Sequence, residues 1–340
     1  MNQQICLVPK LQGLGGMVSF QAKFINGLAA RKIPYTFDLT DPSNDAILVI
    51  GGTRQLWQLW RAKNRGIRIV QRLNGMNWLH KVEKTALRAA LRAEINNQVL
   101  AIIRRVLADE IVYQSDFSQD WWNRVFGKKQ MPARVAYNGV DLEKYIPEGP
   151  ELPPEDHFRI LLVEGHLSGA YARGLETAVR LAQALNESYG LSIELMVVGD
   201  VTDALKARAQ EMAPSLWITW KGVVPRASIP AIDRSAHVLY SADLNAACPN
   251  SVIEALACGL PVVAYDTGAL AELVQDGAGE VVPYGADYWQ LEDPVIPPLA
   301  SACADILKNN LSYRRRARSR AENAFGLDPM VEAYLQALEV

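Results

Sequence analysis

The sequence predicts an α/β protein made of two doubly wound domains with a cleft between them. Short apolar runs rich in Val, Ile and Leu alternate with longer amphipathic segments, as in parallel strands joined by crossover helices. A proline-rich segment near the middle interrupts this alternation, which then starts again. At 340 residues the chain is long for one hydrophobic core and sufficient for two.

The first half contains six apolar runs that predict strands. They lie at residues 5–9, 35–38, 46–50, 67–71, 110–113 and 134–137. Helices are predicted between them, up to Arg31, up to Asn64, over residues 82–108 and around Trp121 and Trp122. A glycine-rich loop, residues 12–17, separates the first strand from the first helix.

Four prolines between Pro147 and Pro154 predict a linker. We therefore place one domain at residues 1–146, the linker at 147–155 and a second domain at 156–322. Residues 323–340 are predicted to form a C-terminal helix that packs back on the first domain.

The second half repeats the alternation. Strands are predicted at residues 159–163, 193–198, 217–220, 236–240, 260–264 and 277–283. Helices are predicted at residues 174–186 and 228–233, in the basic run 314–320 and from about Asp328.

The stretch from Asp243 to Gly268 predicts a loop, a short helix, a tight turn, a buried strand and a second loop. Asn250 and Ser251 are residue types that favour a helix N-cap, and Ser251 with Glu254 matches a capping box. A helix N-terminus beyond the carboxyl end of a parallel strand suits an anionic group such as phosphate.

Charge is distributed unevenly along the chain. Residues 1–150 hold 21 Lys and Arg against 12 Asp and Glu, whereas the remainder holds 14 against 25, which gives the net charge of −2. The basic half suits an anionic acceptor or peripheral contact with a membrane surface, and it equally fits solvated helix faces. No apolar run reaches the ~20 residues of a membrane span, and four scattered cysteines favour a reducing, cytoplasmic location.

Four motifs follow one another in the order of a known family. They are the loop Gly13–Gly16, the segment Tyr137–Asp141, the pair Gly199-Asp200, and Ser251–Val263 followed by Gly268, Glu272, Asp276 and Gly277. With these motifs the chain resembles the retaining glycosyltransferases of the GT-B fold, family 4 (group 1). The last motif is the most specific, because its length, order and turn residues all match.

This resemblance implies transfer of a sugar from a UDP- or GDP-linked donor to a carbohydrate or lipid-linked acceptor. It implies synthesis of a cell-envelope component, polysaccharide or glycolipid, with neither a metal ion nor a cofactor. The donor would bind mainly to the second domain and the acceptor mainly to the first. No nucleic-acid partner is expected.

The resemblance also implies a set of donor-binding residues. Glu254 would accept hydrogen bonds from the ribose hydroxyls, although its capping-box role could coexist with this one. Asn250 and Ser251 would present N–H groups to the diphosphate, or they simply cap the helix. The remaining predicted donor contacts are Gly15, Gly16, Gly199 and the Lys221-Gly222-Val223 turn.

The family places a basic pair in the loop after the first strand of the second domain. That loop is Glu164–Gly174 here, so Arg173 and His166 would stabilise the leaving diphosphate together with the Glu254 region. His166 is only partly charged near neutral pH, and a plain polar role in the loop fits it nearly as well.

Two departures from the family pattern stand out. Ala246 occupies the position of an upstream glutamate, so Asp243 or Asn245 substitutes for it, the sugar is held differently, or activity is weak. The first domain also has no histidine at the expected strand end. Acceptor-side candidates there are Arg72, Asn74, Asn77 and His80, with Trp57, Trp60 and Trp78 available to stack on sugars or to pack in the core.

These departures leave two alternative functions open, and a third alternative is disfavoured. The chain could be a catalytically weak or non-catalytic nucleotide-binding protein of the same fold, or a sugar-nucleotide epimerase. A nicotinamide oxidoreductase with Asp38 on the ribose is disfavoured, because the third glycine of its fingerprint is replaced by Val18.

Overall fold

A computed structural model describes residues 3–13, 15–167 and 172–340. The chain divides into two compact units. The first contains the described residues up to Gly139 together with Leu327–Val340, and the second is Val140–Gly326.

The first unit is built on a parallel sheet of six strands with the order β2-β1-β3-β4-β5-β6. Its elements in chain order are β1 (Gln4–Val8), α1 (Gly16–Ala30), β2 (Tyr35–Thr36), β3 (Asn44–Ile50), α2 (Leu56–Asn64), β4 (Arg68–Leu73), α3 (Leu87–Ile102), β5 (Glu110–Tyr113), α4 (Asp116–Phe126) and β6 (Ala133–Val135).

The second unit is built on another six-stranded parallel sheet, with the order β12-β11-β10-β7-β8-β9. Its elements are β7 (Phe158–Leu167), α5 (Ala172–Tyr189), β8 (Ile193–Val201), α6 (Asp203–Met212), β9 (Trp217–Gly222), α7 (Ile229–Arg234), β10 (Val238–Ser241), α8 (Asn250–Ala257), β11 (Val262–Tyr265), α9 (Leu270–Leu273), β12 (Gly279–Val282), α10 (Ile296–Lys308) and α11 (Asn310–Ala324). The last helix, α12 (Leu327–Leu338), belongs to the first unit.

Alternating strand residues fill a separate core on each face of the first sheet. Leu48 on β3 packs with α1 and α12, where the rings of Phe20 and Tyr334 lie 4.8 Å apart. Its neighbour Val49 packs on the opposite face with Leu59 of α2. Because side chains of a strand alternate between faces, a continuous apolar run such as this one requires helices on both sides of the sheet. The predicted α/β class with parallel sheets is confirmed.

Several predicted element boundaries are wrong. The predicted helix over residues 82–108 is a 3₁₀ turn at Leu79–Lys81, then α3, then a π-helical segment at Ile103–Leu107. That segment carries Arg104, whose buried guanidinium donates to the Tyr113 hydroxyl at 2.9 Å and to Gly127 O at 3.0 Å. A π-helical turn shifts the side-chain phase locally, so a buried arginine can be placed without ending the helix.

Strands of the second sheet are longer than predicted at their carboxyl ends. β7 continues to Leu167, β8 to Val201 and β9 to Gly222. The extensions contain polar residues and glycines, which are disfavoured in isolated strands. Backbone pairing with neighbouring strands, such as His166 with Asp200 and Val198 with Gly222, holds them in the sheet.

Candidate functional site

The predicted site residues of the second unit lie at or just beyond the carboxyl ends of its strands. β7 lies between β8 and β10, and β11 lies beside β10. Because all these strands are parallel, the segments that follow them emerge at one edge of the sheet. This edge carries Glu164, the loop 242–249, the start of α8, and Thr267-Gly268.

The start of α8 differs from the predicted capping box. The helix begins at Asn250 and is preceded by Pro249, and no side chain of the described residues caps it. Ser251 therefore lies in the first turn instead of at the N-cap, and the predicted Ser251–Glu254 capping box is wrong. Proline fixes the entry of the chain into the helix. Without a side-chain cap, the first-turn N–H groups are available to an external acceptor.

Glu254 faces inward on α8, with a side chain that is 9% exposed. Arg226 Nη2 donates to its Oε1 at 2.9 Å, and the Arg226 guanidinium also hydrogen-bonds Tyr145. Burial raises the pKa of the Tyr145 hydroxyl to about 12, an effect that nearby Glu254 reinforces. The carboxylate is thus held in a fixed orientation by a half-exposed arginine.

Three buried polar side chains lie at or beyond the carboxyl ends of β10 and β11, near Ala246, which occupies the position of the family's upstream glutamate. Ser241 ends β10, Asn245 lies in the loop that follows, and Thr267 follows β11. All three are at least nine-tenths buried, and neither polar atom of Asn245 nor the two hydroxyl oxygens has a hydrogen-bond partner among the described residues. Unsatisfied buried polar groups cost ~1–3 kcal/mol each, so such groups in a native protein call for an additional ligand.

Backbone geometry brings these segments together. Asn245 has a left-handed φ of 59°, which asparagine tolerates better than most residues. Ala269 N donates to Ala246 O at 2.8 Å, and a Cβ on Gly268 would lie 2.5 Å from Ala246 N. Only glycine fits at Gly268, and its close approach places the Thr267 loop against the Asn245 loop.

Two carboxyl groups lie beside this cluster. Glu164 is on β7, and Asp243 is two residues beyond the end of the neighbouring β10. Burial raises the pKa of Glu164 from its ordinary value of 4.5 to about 8, and the Asp243 charge adds to this effect. Burial also raises the pKa of Asp243, to about 6. The pair therefore retains a proton near neutral pH and can both donate and accept hydrogen bonds.

This pair predicts a pH-dependent stability. Between pH 4.5 and about 8 the folded protein binds more protons at Glu164 than the unfolded chain does, so the free energy of unfolding falls as pH rises through this window. We expect Glu164→Gln to flatten that fall, with its largest stability gain over the wild type near pH 8. Urea unfolding across the window measures the difference. Glu187→Gln, an exposed change on α5, should track the wild type; parallel curves for Glu164→Gln would refute the assignment.

Arg173 lies in the first turn of α5, next to Gly174. A Cβ on Gly174 would lie 2.6 Å from the Ala242 Cβ, so this turn packs directly on the loop that contains Asp243 and Asn245. The Arg173 guanidinium is half-exposed and lies 3.6 Å from Asp293, which also pairs with Arg180 at 3.1 Å. Of the loop predicted to carry the basic pair, residues 168–171 lie outside the described residues.

His166 was predicted to lie in a loop, but it lies near the carboxyl end of β7, where the strand still pairs with β8. Its Nδ1 lies 2.9 Å from Asp200 Oδ2 on β8, and both side chains are more than half exposed. Neighbouring strands supply this contact, which the sequence does not reveal.

The other predicted donor contacts lie at ends of the same strands. Gly199 is inside β8 with φ 141°, and a Cβ there would lie 1.9 Å from Glu164 O. Lys221 and Gly222 end β9 instead of following it, and Val223 is exposed just beyond. Their assignment to the donor stays a prediction.

The acceptor-side candidates lie in the first unit, near the carboxyl end of β4. Arg72 is buried over the Phe20 ring, 4.1 Å from its centroid, and donates to Asn138 Oδ1 at 3.0 Å. Asn74 lies just beyond the strand, where its carbonyl accepts from Trp122 Nε1 at 2.7 Å.

Asn77 and His80 are held by α3. Asn77 exchanges hydrogen bonds with Asn97, and His80 Nε2 lies 2.7 Å from Glu94 Oε1. In the same unit, Gly15 precedes α1 with φ 125°, and Gly16 begins this helix. Leu14 lies outside the described residues. A direct role for these residues stays a prediction.

Sequence reasoning missed Glu164, Thr267 and Ser241. The sequence does contain a signal for Glu164, since an acidic residue directly follows the apolar run Ile160–Val163. Ser241 and Thr267 give no comparable signal, because hydroxyl residues at strand ends are ordinary. Among the described residues no group of three His, Cys, Asp or Glu side chains is arranged to hold a metal ion.

The folds of solved glycosyltransferases match this chain along its whole length. Sucrose-phosphate synthase from Thermosynechococcus elongatus has a TM-score of 0.77 and 18% identity, covering 99% of this chain and 98% of that one. HepE of Anabaena, solved with UDP and glucose, has a TM-score of 0.71 and 16% identity over 99% of both chains. Together with the two parallel sheets, these matches define a protein of the GT-B fold.

Part of the chain also resembles known glycosyltransferases in sequence. Residues 159–308 match the model of the family described as "Glycosyl transferases group 1". A GDP-mannose-dependent alpha-(1-6)-phosphatidylinositol dimannoside mannosyltransferase of Mycobacterium tuberculosis is 26% identical over 221 residues, covering 63% of this chain and 53% of that protein. An uncharacterized glycosyltransferase of Methanocaldococcus jannaschii is 22% identical over 160 residues, or 44% of this chain and 40% of that protein. The chain thus spans about half the length of the curated relatives it matches.

Proposed function

We propose that this protein is a retaining, metal-independent glycosyltransferase that moves a sugar from a UDP- or GDP-linked donor to a hydroxyl of a carbohydrate or lipid-linked acceptor. Cell-envelope, polysaccharide or glycolipid synthesis is the proposed setting. The observation that supports this most is the buried Asn245 amide, which lacks a partner among the described residues. A sugar carries several hydroxyls that both donate and accept, which is what an amide and two neighbouring hydroxyls require.

In this proposal the donor lies along the carboxyl edge of the second sheet. Glu254 accepts hydrogen bonds from the ribose diol, and the uncapped first turn of α8 binds the diphosphate. Asn245, Ser241 and Thr267 hold the sugar. The Glu164 carboxyl, whose raised pKa keeps it protonated near neutral pH, donates a hydrogen bond to a sugar hydroxyl, and the Asp243 carboxylate accepts one. In this way Asn245 and Asp243 would take the place of the glutamate missing at Ala246.

The proposed reaction is a front-face displacement. The acceptor oxygen bonds to the anomeric carbon from the face that the diphosphate vacates, while the bond between this carbon and the diphosphate oxygen breaks. The acceptor proton passes to the released diphosphate. Arg173 and the α8 N–H groups stabilise the charge that develops there, so the proposal requires neither a metal ion nor a protein nucleophile.

Donor binding is the first test. A nucleotide sugar at ~100 times its dissociation constant should stabilise the fold by ~2.7 kcal/mol. We expect UDP-glucose or GDP-mannose to raise the melting temperature, and release of the nucleoside diphosphate to require an acceptor sugar or glycolipid. If no donor raises the melting temperature, the proposal fails. Binding without release would favour the nucleotide-binding alternative, and an altered sugar without acceptor would favour an epimerase.

Arg173→Ala should lower kcat by ~10²-fold, because loss of one group that stabilises transition-state charge typically has this effect. Release of diphosphate under donor saturation measures it. Arg180→Ala is the matched control, because Arg180 lies on the same helix and pairs with the same Asp293. Equal loss in both variants would assign the effect to Asp293 or to α5 instead.

A cytoplasmic location is part of the proposal. All four cysteines, Cys6, Cys248, Cys258 and Cys303, are buried, and their scattered positions in the sequence are typical of a protein from a reducing compartment. No helix among the described residues is long and apolar enough to cross a membrane.

A further inference from the structure

Helix α3 carries a stripe of exposed apolar side chains. Leu87, Leu91, Ile95 and Ile102 are between 43% and 84% exposed. At 100° per residue these four positions fall within an arc of roughly 80°, whose centre lies roughly 120° around the helix from the buried Asn97. The buried residues of α3, Asn97 and Ala101, lie near its carboxyl end. The stripe is therefore an apolar surface exposed to solvent, whereas amphipathic helices normally bury their apolar face.

Two tryptophans extend this surface on α2. Trp57 and Trp60 are 63% and 44% exposed, and their rings stack on each other with centroids 4.7 Å apart. Of the two alternatives predicted for these tryptophans, core packing is therefore wrong for Trp57 and Trp60. α2 and the end of α3 cover the same face of the sheet, because Val99 of α3 packs against the cluster that contains Leu59 of α2. We name the outward side chains of α2 and α3 the α2–α3 face.

The α2–α3 face is strongly basic. Between residues 54 and 105 eight Lys and Arg are exposed, against the two acids Glu83 and Glu94; they are Arg54, Arg61, Arg65, Lys81, Lys84, Arg88, Arg92 and Arg105. Glu94 lies 2.7 Å from His80 and 3.2 Å from Lys81, so its charge offsets that of Lys81 and not that of the exposed arginines. Exposed arginines border the apolar stripe directly, at Arg61, Arg88, Arg92 and Arg105.

We propose that the α2–α3 face docks on an anionic lipid surface. Apolar side chains flanked by cations, with a tryptophan pair among them, match the boundary between acyl chains and negatively charged headgroups. A protein partner would need an apolar surface ringed by many acids, whereas an anionic bilayer supplies both features over any area. The inference depends on the first unit alone and does not rest on the proposed donor site.

Vesicle binding tests this inference. The full chain is mixed with vesicles of phosphatidylcholine alone or of phosphatidylcholine with phosphatidylglycerol, and binding is measured by co-sedimentation. We expect binding to the anionic vesicles only, weakening as salt screens the charges. Tryptophan emission should move to shorter wavelength on binding, and this shift should shrink in the double variant Trp57→Phe, Trp60→Phe.

Variants locate the surface. Leu87→Ser with Leu91→Ser, and Arg88→Gln with Arg92→Gln, should each weaken vesicle binding at least ~10-fold, because each change removes apolar burial or headgroup attraction. Leu311→Ser and Arg315→Gln are matched controls, since both are exposed on helix α11 of the second unit. The donor-induced rise in melting temperature should be unchanged in all of them.

Three outcomes would overturn the inference. One is the absence of binding to anionic vesicles at low salt, and another is equal loss of binding in the α11 controls. The third is a dimer in light scattering that the Leu87 and Leu91 changes dissociate, because the face would then be covered by a second copy of the chain. If the chain binds anionic vesicles as expected but no nucleotide sugar raises its melting temperature, the proposed function fails and the inference about the α2–α3 face stands.

Discussion

Glu254→Gln is expected to lower kcat/KM for the nucleotide sugar by ~10²-fold or more, in a protein that still folds. On its proposed role, Glu254 accepts two charge-assisted hydrogen bonds from the ribose diol, each worth ~1.5–3 kcal/mol. An amide can accept at only one of its two ends, and Arg226 already donates to Oε1 at 2.9 Å. Since ~1.4 kcal/mol corresponds to a factor of ten in rate, loss of one or both bonds predicts the stated range.

Steady-state release of the nucleoside diphosphate measures this effect, and the melting temperature reports folding. Glu187→Gln on the exposed side of α5 makes the same chemical change away from the sheet edge and should leave kcat/KM unchanged. Arg226→Gln is a second comparison, because it removes the partner of Glu254 but leaves the carboxylate in place. A folded Glu254→Gln protein with wild-type turnover would refute the ribose assignment.

Gly199→Ala is expected to lower the free energy of unfolding by ~3 kcal/mol or more. A Cβ at this position would lie 1.9 Å from the backbone oxygen of Glu164, which lies in β7 between the paired residues Val163 and His166. The φ of 141° is also one that residues with a Cβ rarely adopt. Strain of each kind costs ~1–3 kcal/mol, and here the two add.

Urea unfolding followed by tryptophan fluorescence measures this loss. Trp217 and Trp220 lie on β9, which pairs with β8, so the emission reports the affected part of the sheet. Gly165→Ala is a close control, because a Cβ there meets nothing within 4 Å. Equal midpoints for the two variants would mean that the close approach at Gly199 is not required.

The predicted strands were most accurate where an apolar run of the sequence is buried on both faces of the sheet. Residues 46–50 of β3, 111–113 of β5 and 238–240 of β10 are continuously apolar, as is typical of strands that are covered on both faces. The edge strand β2 was overestimated, because Tyr35–Thr36 has one neighbouring strand and stays partly exposed. Its length depends on what lies beside it, which no local pattern contains.

The stretch from Pro249 to Gly259 illustrates the same division within the candidate site. Its helix and the glycine that ends it were predicted correctly, since Gly259 has a φ of 68°. The capping box was wrong because Pro249, and not Ser251, precedes the helix, which therefore starts two residues earlier than the box requires. Local propensity can position a helix, but a shift of two residues decides whether a hydroxyl caps the helix or lies in its first turn.

The sequence by itself determined the α/β class and the two sheets, because periodicity and turn residues are local properties of the chain. Only the tertiary structure paired His166 with Asp200, brought the charge of Asp243 close enough to act on Glu164, and left Asn245, Ser241 and Thr267 buried without partners among the described residues. These arrangements involve residues that lie far apart along the chain. They depend on strand order and register, and a parallel sheet fixes both only when all of its strands are in place.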